Sequence, residues 1–199
     1  ICNLYLDNNR KRCIIVPGNH DVNRRITGLS ITPSTKSYVD CCKEYFSQST
    51  KLRWSWKEKT FYEIYDVATY KRRFELFVSF YNHFYAGIRT YPADPDKEAY
   101  VYTDDEYSVT FCGLNSCCNL DHLCDTGNIA EEAVNSVGAE LNSSYNKGYL
   151  NIAVWHHHYY GKPLETNYMD RAILTDLLIN DVHIGLFGHQ HQIQVAEEY

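Results

Sequence analysis

The sequence predicts an α/β fold, and three observations carry that expectation. Four short apolar or β-branched runs, at residues 13–16, 108–112, 150–155 and 183–187, are bounded by Gly, Asn or His and read as strands. Helical patterns fall between the later runs, and alternation of strand and helix is the mark of a sheet covered by helices. Two of the runs lead directly into polar tetrapeptides. Cys13-Ile14-Ile15-Val16-Pro17 opens into Gly18-Asn19-His20-Asp21, and Val182-His183-Ile184-Gly185-Leu186-Phe187 opens into Gly188-His189-Gln190-His191. Polar side chains at strand ends lie at the edge of an open α/β sheet where ligands collect.

Taken in chain order, the first strand run, 13–16, is followed by a segment that breaks the alternation. Residues 36–89 hold ten Lys or Arg against six Asp or Glu, a net +4 that leaves −10 for the rest of the chain. They also hold fifteen of the twenty-nine aromatic residues. Their patterns suggest helices over 37–47 and 67–85, so 36–89 reads as an aromatic, basic helical insertion within one domain spanning 1–199. The plain reading is a helical layer with aromatics in its core and charges in water. The functional reading is a cap over the substrate, with Lys71, Arg72 and Arg73 attracting phosphate. The strand at 108–112 comes next, ending in the turn-like Asn115 and Ser116. A helix over 130–141 places Ala130, Ala133, Val134, Val137 and Leu141 near one face, with Glu131 and Glu132 in its first turn. The strand at 150–155 ends at His156-His157-His158, and a helix over 170–179 precedes the last strand.

Length and composition bound the answer further. A chain of 199 residues suits one well-buried domain. With 44% hydrophobic and 22% charged residues it reads as globular. The formal charge of −6 argues against wholesale nucleic-acid binding while leaving room for a local basic face. No apolar run approaches the roughly 20 residues that span a bilayer, so no membrane partner is expected. Residue 1 is Ile and both ends read as cut, so upstream targeting signals would be lost. The eight cysteines include the adjacent pairs Cys41-Cys42 and Cys117-Cys118 and no C-x-x-C. That usage suggests reduced thiols in a cytoplasmic protein and gives no support to a structural zinc site.

Neutral imidazole nitrogens and carboxamide oxygens both bind divalent transition metals. Asn19, His189, His191 and one of the 156–158 histidines can converge if their strands are neighbours. A pair of such ions can clamp a phosphoryl group, and His20 beside Asn19 could stabilise or protonate a leaving oxygen.

In these motifs the chain resembles the calcineurin-like metallophosphoesterases. That family shows, in order, D-x-H, G-D-x-x-D, G-N-H-D/E, a strand followed by His, and G-H-x-H. The last three correspond to Gly18-Asn19-His20-Asp21, the strand run 152–155 followed by His156 and His157, and Gly188-His189-Gln190-His191. Phe111-Cys112-Gly113-Leu114-Asn115-Ser116 and Gly127-Asn128-Ile129 fit as well. The stretch from Trp155 to Gly161, then Tyr168-Met169-Asp170, is similar to a bacterial branch. D-x-H and G-D-x-x-D are absent from the family's positions, since the single D-x-H, Asp181-Val182-His183, lies at the wrong end. The resemblance therefore implies an N-terminally truncated piece whose other ligands lie upstream.

The resemblance implies a four-layer αββα sandwich, incomplete at both ends, with a dinuclear metal site at the strand ends. It implies two divalent ions, Mn, Fe or Zn, and phosphoester hydrolysis by a metal-bound hydroxide, on a monoester or diester substrate. Asn19 would bind the second metal and help hold the phosphate. His20 would be the leaving-group acid, with Asp21 orienting it. His156 would bind the second metal and His157 would touch substrate, although a one-residue shift exchanges them. His189 would bind the second metal and His191 the first. As written, the chain would hold one metal well and hydrolyse poorly. Two alternatives stand beside this: a nuclease acting on DNA or RNA ends, and a non-catalytic interaction scaffold on the same fold.

Overall fold

In a computed structural model of the chain, the described residues are 5–47, 51–159, 167–169, 172, 173, 175, 177 and 181–189. Among them the elements in chain order are α1 (Arg24–Gly28), β1 (Ile31–Pro33), α2 (Tyr38–Phe46), β2 (Leu52–Ser55), β3 (Thr60–Ile64), α3 (Val67–Lys71), α4 (Glu75–Phe84), β4 (Ala99–Asp104), β5 (Val109–Leu114), α5 (Glu131–Asn146), β6 (Leu150–Val154) and β7 (Ile184–Leu186). The architecture is mixed α/β with two separate sheets.

The larger sheet has the order β4-β5-β6-β7. Strands β4 and β5 form an antiparallel hairpin, while β5, β6 and β7 run parallel. Parallel neighbours end on the same side, so the loops after β5, β6 and β7 emerge together. Helix α5 covers this sheet. It buries Ala133, Val134, Val137 and Leu141 against Cys112, Leu114, Ala153 and Trp155. The helix outlasts its expected end at 141 and stops where Gly148 adopts a left-handed φ of 78°. There Tyr149 N donates to Ser144 O at 3.1 Å, closing the last turn. Of the helix expected at 170–179, Ala172, Ile173, Thr175 and Leu177 are helical and the other positions lie outside the described residues.

The run at 13–16 is not a strand of either sheet. Its carbonyl at Cys13 accepts from the Tyr85 hydroxyl at 2.6 Å and from Arg89 Nη2 at 3.3 Å, so side chains take the place of a ladder. The side chains of Ile14 and Val16 press instead on the face of Gly113 in β5.

The segment 36–89 is not purely helical. Between α2 and α3 lies the β2–β3 hairpin, which joins β1 in an antiparallel sheet ordered β1-β3-β2. Thr60-Phe61-Tyr62-Glu63-Ile64 is rich in aromatic and β-branched residues that favour a pleated surface. Helix α2 packs on this sheet through Cys41, Leu52 and Phe61.

The expected phosphate-attracting trio is also committed elsewhere. Arg73 is fully buried, stacked over Tyr70 and Phe74, paired with Asp96 and donating to Cys118 O at 2.6 Å. Lys71 pairs with Asp94 at 2.8 Å, and Arg72 with Glu75 on its own surface at 3.0 Å. A second buried cation, Arg53 of β2, donates to Asp121 Oδ2 at 2.9 Å. These contacts fasten the segment to the loop after β5. The seven cysteines among the described residues are all free thiols. No helix among those residues is long and apolar enough to cross a membrane.

Candidate functional site

The edge where β5, β6 and β7 end gathers most of the residues singled out from the sequence. The β6–β7 ladder continues past its last formal pair. Trp155 N donates to Leu186 O at 3.1 Å, and Gly188 N donates to His156 O at 3.1 Å. This register sets His189 beside His156. His189 itself holds a left-handed φ of 74°, a costly conformation for a residue with a Cβ, of the kind that collects at functional sites.

From the other end of the chain comes the 3-10 turn Asn19–Asp21. Cys117 Sγ, just after β5, donates to Pro17 O at 3.5 Å and ties the approach to that turn to the sheet edge. Asn19 Oδ1 lies 2.9 Å from His156 Nε2, and His189 Nδ1 lies 3.1 Å from the same nitrogen. Residues 19, 156 and 189, far apart in sequence, thus place a carboxamide oxygen and two imidazole nitrogens within reach of one point. A proton on His156 Nε2 can be shared with only one of its two neighbours. A cation placed between them would be met by donor atoms from all three side chains. The separations also match neighbouring ligands of one ion, which sit roughly 3 Å apart when each is about 2.1 Å from the metal. The set fits a divalent metal, although among the described residues no group of three His, Cys, Asp or Glu forms a ready-made metal site. The third donor here is an asparagine.

His157 does different work. It is fully buried, with its ring centroid 5.3 Å from that of His156 and 5.2 Å from that of His189. Ser116 Oγ accepts the backbone N–H groups of His156 and His157, both at 3.1 Å, and lies 2.9 Å from His157 Nδ1. Two donors fill the hydroxyl's two lone pairs, so its own proton must go to Nδ1. Neutral His157 then carries its proton on Nε2, which is buried with no hydrogen-bond partner among the described residues. Burial, with the neighbouring His156 and His189, pushes the His157 pKa down to about 3, so the ring is neutral at physiological pH. A Cβ on Gly127 would come within 2.4 Å of His157 Cγ, and only glycine lets the loop pass this close.

Other expected residues take other places. His20 is exposed beside Asn19. Asp21, expected to orient His20, instead accepts Gly18 N–H through Oδ2 at 2.8 Å and closes its own turn. His191 lies outside the described residues. His158 is buried edge-on to Phe187 and accepts Met169 N–H at its carbonyl, a structural role. His183 is structural too, accepting Asn151 N–H at 2.9 Å and stacking on Tyr145. Asn115 holds the turn after β5, donating to Pro95 O and accepting from Cys117 N. The turn reading of Ser116 missed its grip on both histidines.

A separate cavity of about 860 Å³ lies elsewhere, lined by Arg53, Lys71, Asp94, Asp96, Lys97 and Glu132 among others. Three of its cations are paired, Lys71 with Asp94, Lys97 with Glu132 and Arg53 with Asp121, and no site histidine lines it. In comparisons with known proteins, no family model matches the chain, and neither a curated protein nor a solved structure matches it.

Proposed function

We propose that this chain belongs to a metal-dependent phosphoester hydrolase of the calcineurin-like metallophosphoesterase type, located in the cytoplasm, whose complete fold is a four-layer αββα sandwich. The observation that carries this reading is the meeting of Asn19 Oδ1, His156 Nε2 and His189 Nδ1 at the shared edge of three parallel strands. Asn19, His156 and His189 would hold one divalent ion, and His191 would contribute to a second, with Mn, Fe and Zn all compatible with the donors. Such ions, when bound, neutralise phosphoryl charge and make water a competent nucleophile near neutral pH.

The chain's own groups supply the rest. The Ser116 contact favours His156 over His157 as the ligand, because it leaves His157 with an N–H rather than a lone pair at Nε2. His20, exposed beside Asn19, is placed to give a proton to a departing alkoxide.

The test uses the full-length gene product with bis-p-nitrophenyl phosphate and p-nitrophenyl phosphate in added Mn²⁺. The expected result is turnover that His189→Ala abolishes by weakening metal binding, and that His20→Ala lowers by about 10²–10⁴-fold in kcat. Inactivity of the wild type with every divalent metal would end the enzyme reading. Full activity in both variants would end this assignment of the site.

A further inference from the structure

The aromatic and basic character of 36–89 is not used by the histidine site, and the structure gives it a form. Trp54 and Trp56 of the β2–β3 hairpin, Phe61 across from Trp54, and Tyr45 and Phe46 of α2 make one continuous track of rings. Successive centroids lie 6.0, 4.8, 5.7 and 5.6 Å apart. The middle of the track is core, but its ends are open: Trp56 is 78% exposed and Phe46 80%. Trp56 begins the hairpin tip Trp56-Lys57-Glu58-Lys59.

Charge at this face is mixed, four lysines and four carboxylates, but the two signs are engaged differently. Lys36 takes Glu44 and Glu63, the Tyr62 hydroxyl donates to Glu58, and the Ser37 hydroxyl donates to Asp40. Lys43, Lys57 and Lys59 are exposed and make no ion pair among the described residues. The four acids are thus held by ion pairs or hydroxyl groups, while Lys57 and Lys59 beside Trp56 and Lys43 one turn before Phe46 are open to solvent next to exposed rings.

We propose that this face binds single-stranded nucleic acid, its open rings stacking on bases and its lysines meeting phosphates. A flexible polyanion with planar bases matches both features at once, whereas a duplex hides its base faces. The face would make the substrate of the proposed hydrolase a DNA or RNA strand, a step that rests on the phosphoester reading above.

Binding is measured in chelator, so that it is read without hydrolysis. Labelled oligo(dT) and oligo(U) of about 20 nucleotides are titrated with the protein by fluorescence anisotropy across about 50–200 mM salt. The expected result is binding of both oligomers in preference to duplex DNA and to phosphatidylserine vesicles. Trp56→Ala should weaken it by roughly 5- to 100-fold while Trp56→Tyr retains most of it. Lys57→Ala with Lys59→Ala should lower the salt slope by about 1.4, near 0.7 for each phosphate that a lysine no longer neutralises. No binding of either oligomer, binding that all three variants leave unchanged, or a preference for the vesicles would each overturn the proposal. Because catalysis plays no part in the measurement, its failure leaves the hydrolase test standing, and failure of that test leaves this one standing.

Discussion

A serine hydroxyl has two lone pairs and one proton, and at Ser116 all three are used on two histidines. Ser116→Ala removes an acceptor shared by two N–H groups, one buried and one partly buried, which should cost about 1–3 kcal/mol of stability in chemical denaturation. It also frees His157 Nδ1, so ¹⁵N chemical shifts of the ring should show the loss of a single Nε2–H tautomer. An unchanged tautomer would mean that something other than Ser116 holds it. His157 has a consequence for pH as well. Its pKa, near 6.5 when unfolded and about 3 in the fold, is lowered chiefly by burial. The sign follows from the unfolded state binding the proton more readily. The stabilising contribution is whole above pH 6.5 and is lost as pH falls towards 3. In chelator, stability should therefore decline by up to about 1.4 kcal/mol per pH unit between pH 6.5 and about 3 through this group. His157→Gln should flatten that decline, and an equal slope in the variant would assign the acid sensitivity to other groups.

At the scale of elements, the loop after β5 is where the small sheet meets the large one. Asp121 is fully buried and accepts four hydrogen bonds, from Arg53 and Tyr70 of the small-sheet segment and from the backbone of Leu123 and Cys124. Asp121→Asn keeps the shape and removes the charge, leaving the Arg53 guanidinium nearly buried without its anion. The expected cost is about 3–5 kcal/mol in denaturant unfolding, and a change under 1 kcal/mol would show that water reaches Arg53. The same region shows what local sequence carries. Strands β5, β6 and β7 and helix α5 were legible because their apolar runs and helical spacing are strong over a few residues. Strand β4 was not, since Ala99-Tyr100-Val101-Tyr102-Thr103-Asp104 is largely half-buried at a sheet edge and lacks a clean alternation. The β2–β3 hairpin was hidden because its aromatics resembled those of the helices around it. At the site, Asn19, His156 and His189 stood out in the sequence as side chains able to meet at one edge, although the run before Asn19 is not a strand. Ser116 was not, because its role depends on a histidine that arrives 41 residues later.

For the whole molecule, the parallel order of β5, β6 and β7 decides which loops share an edge, and the antiparallel β1-β3-β2 sheet with α2 adds a second surface of exposed rings and lysines. The two are tied by buried cations rather than by a shared sheet. The long-range pairing of the larger sheet also has a bearing on the order of synthesis. Asn19 leaves the ribosome early, His156 much later, and His189 last, after β7 has been made and can pair with β6. Domains gain structure as they emerge, but contacts this distant wait for their final strand. A nascent chain therefore carries an unassembled trio until translation has passed His189, and a ribosome stalled before β7 would leave behind a polypeptide without it.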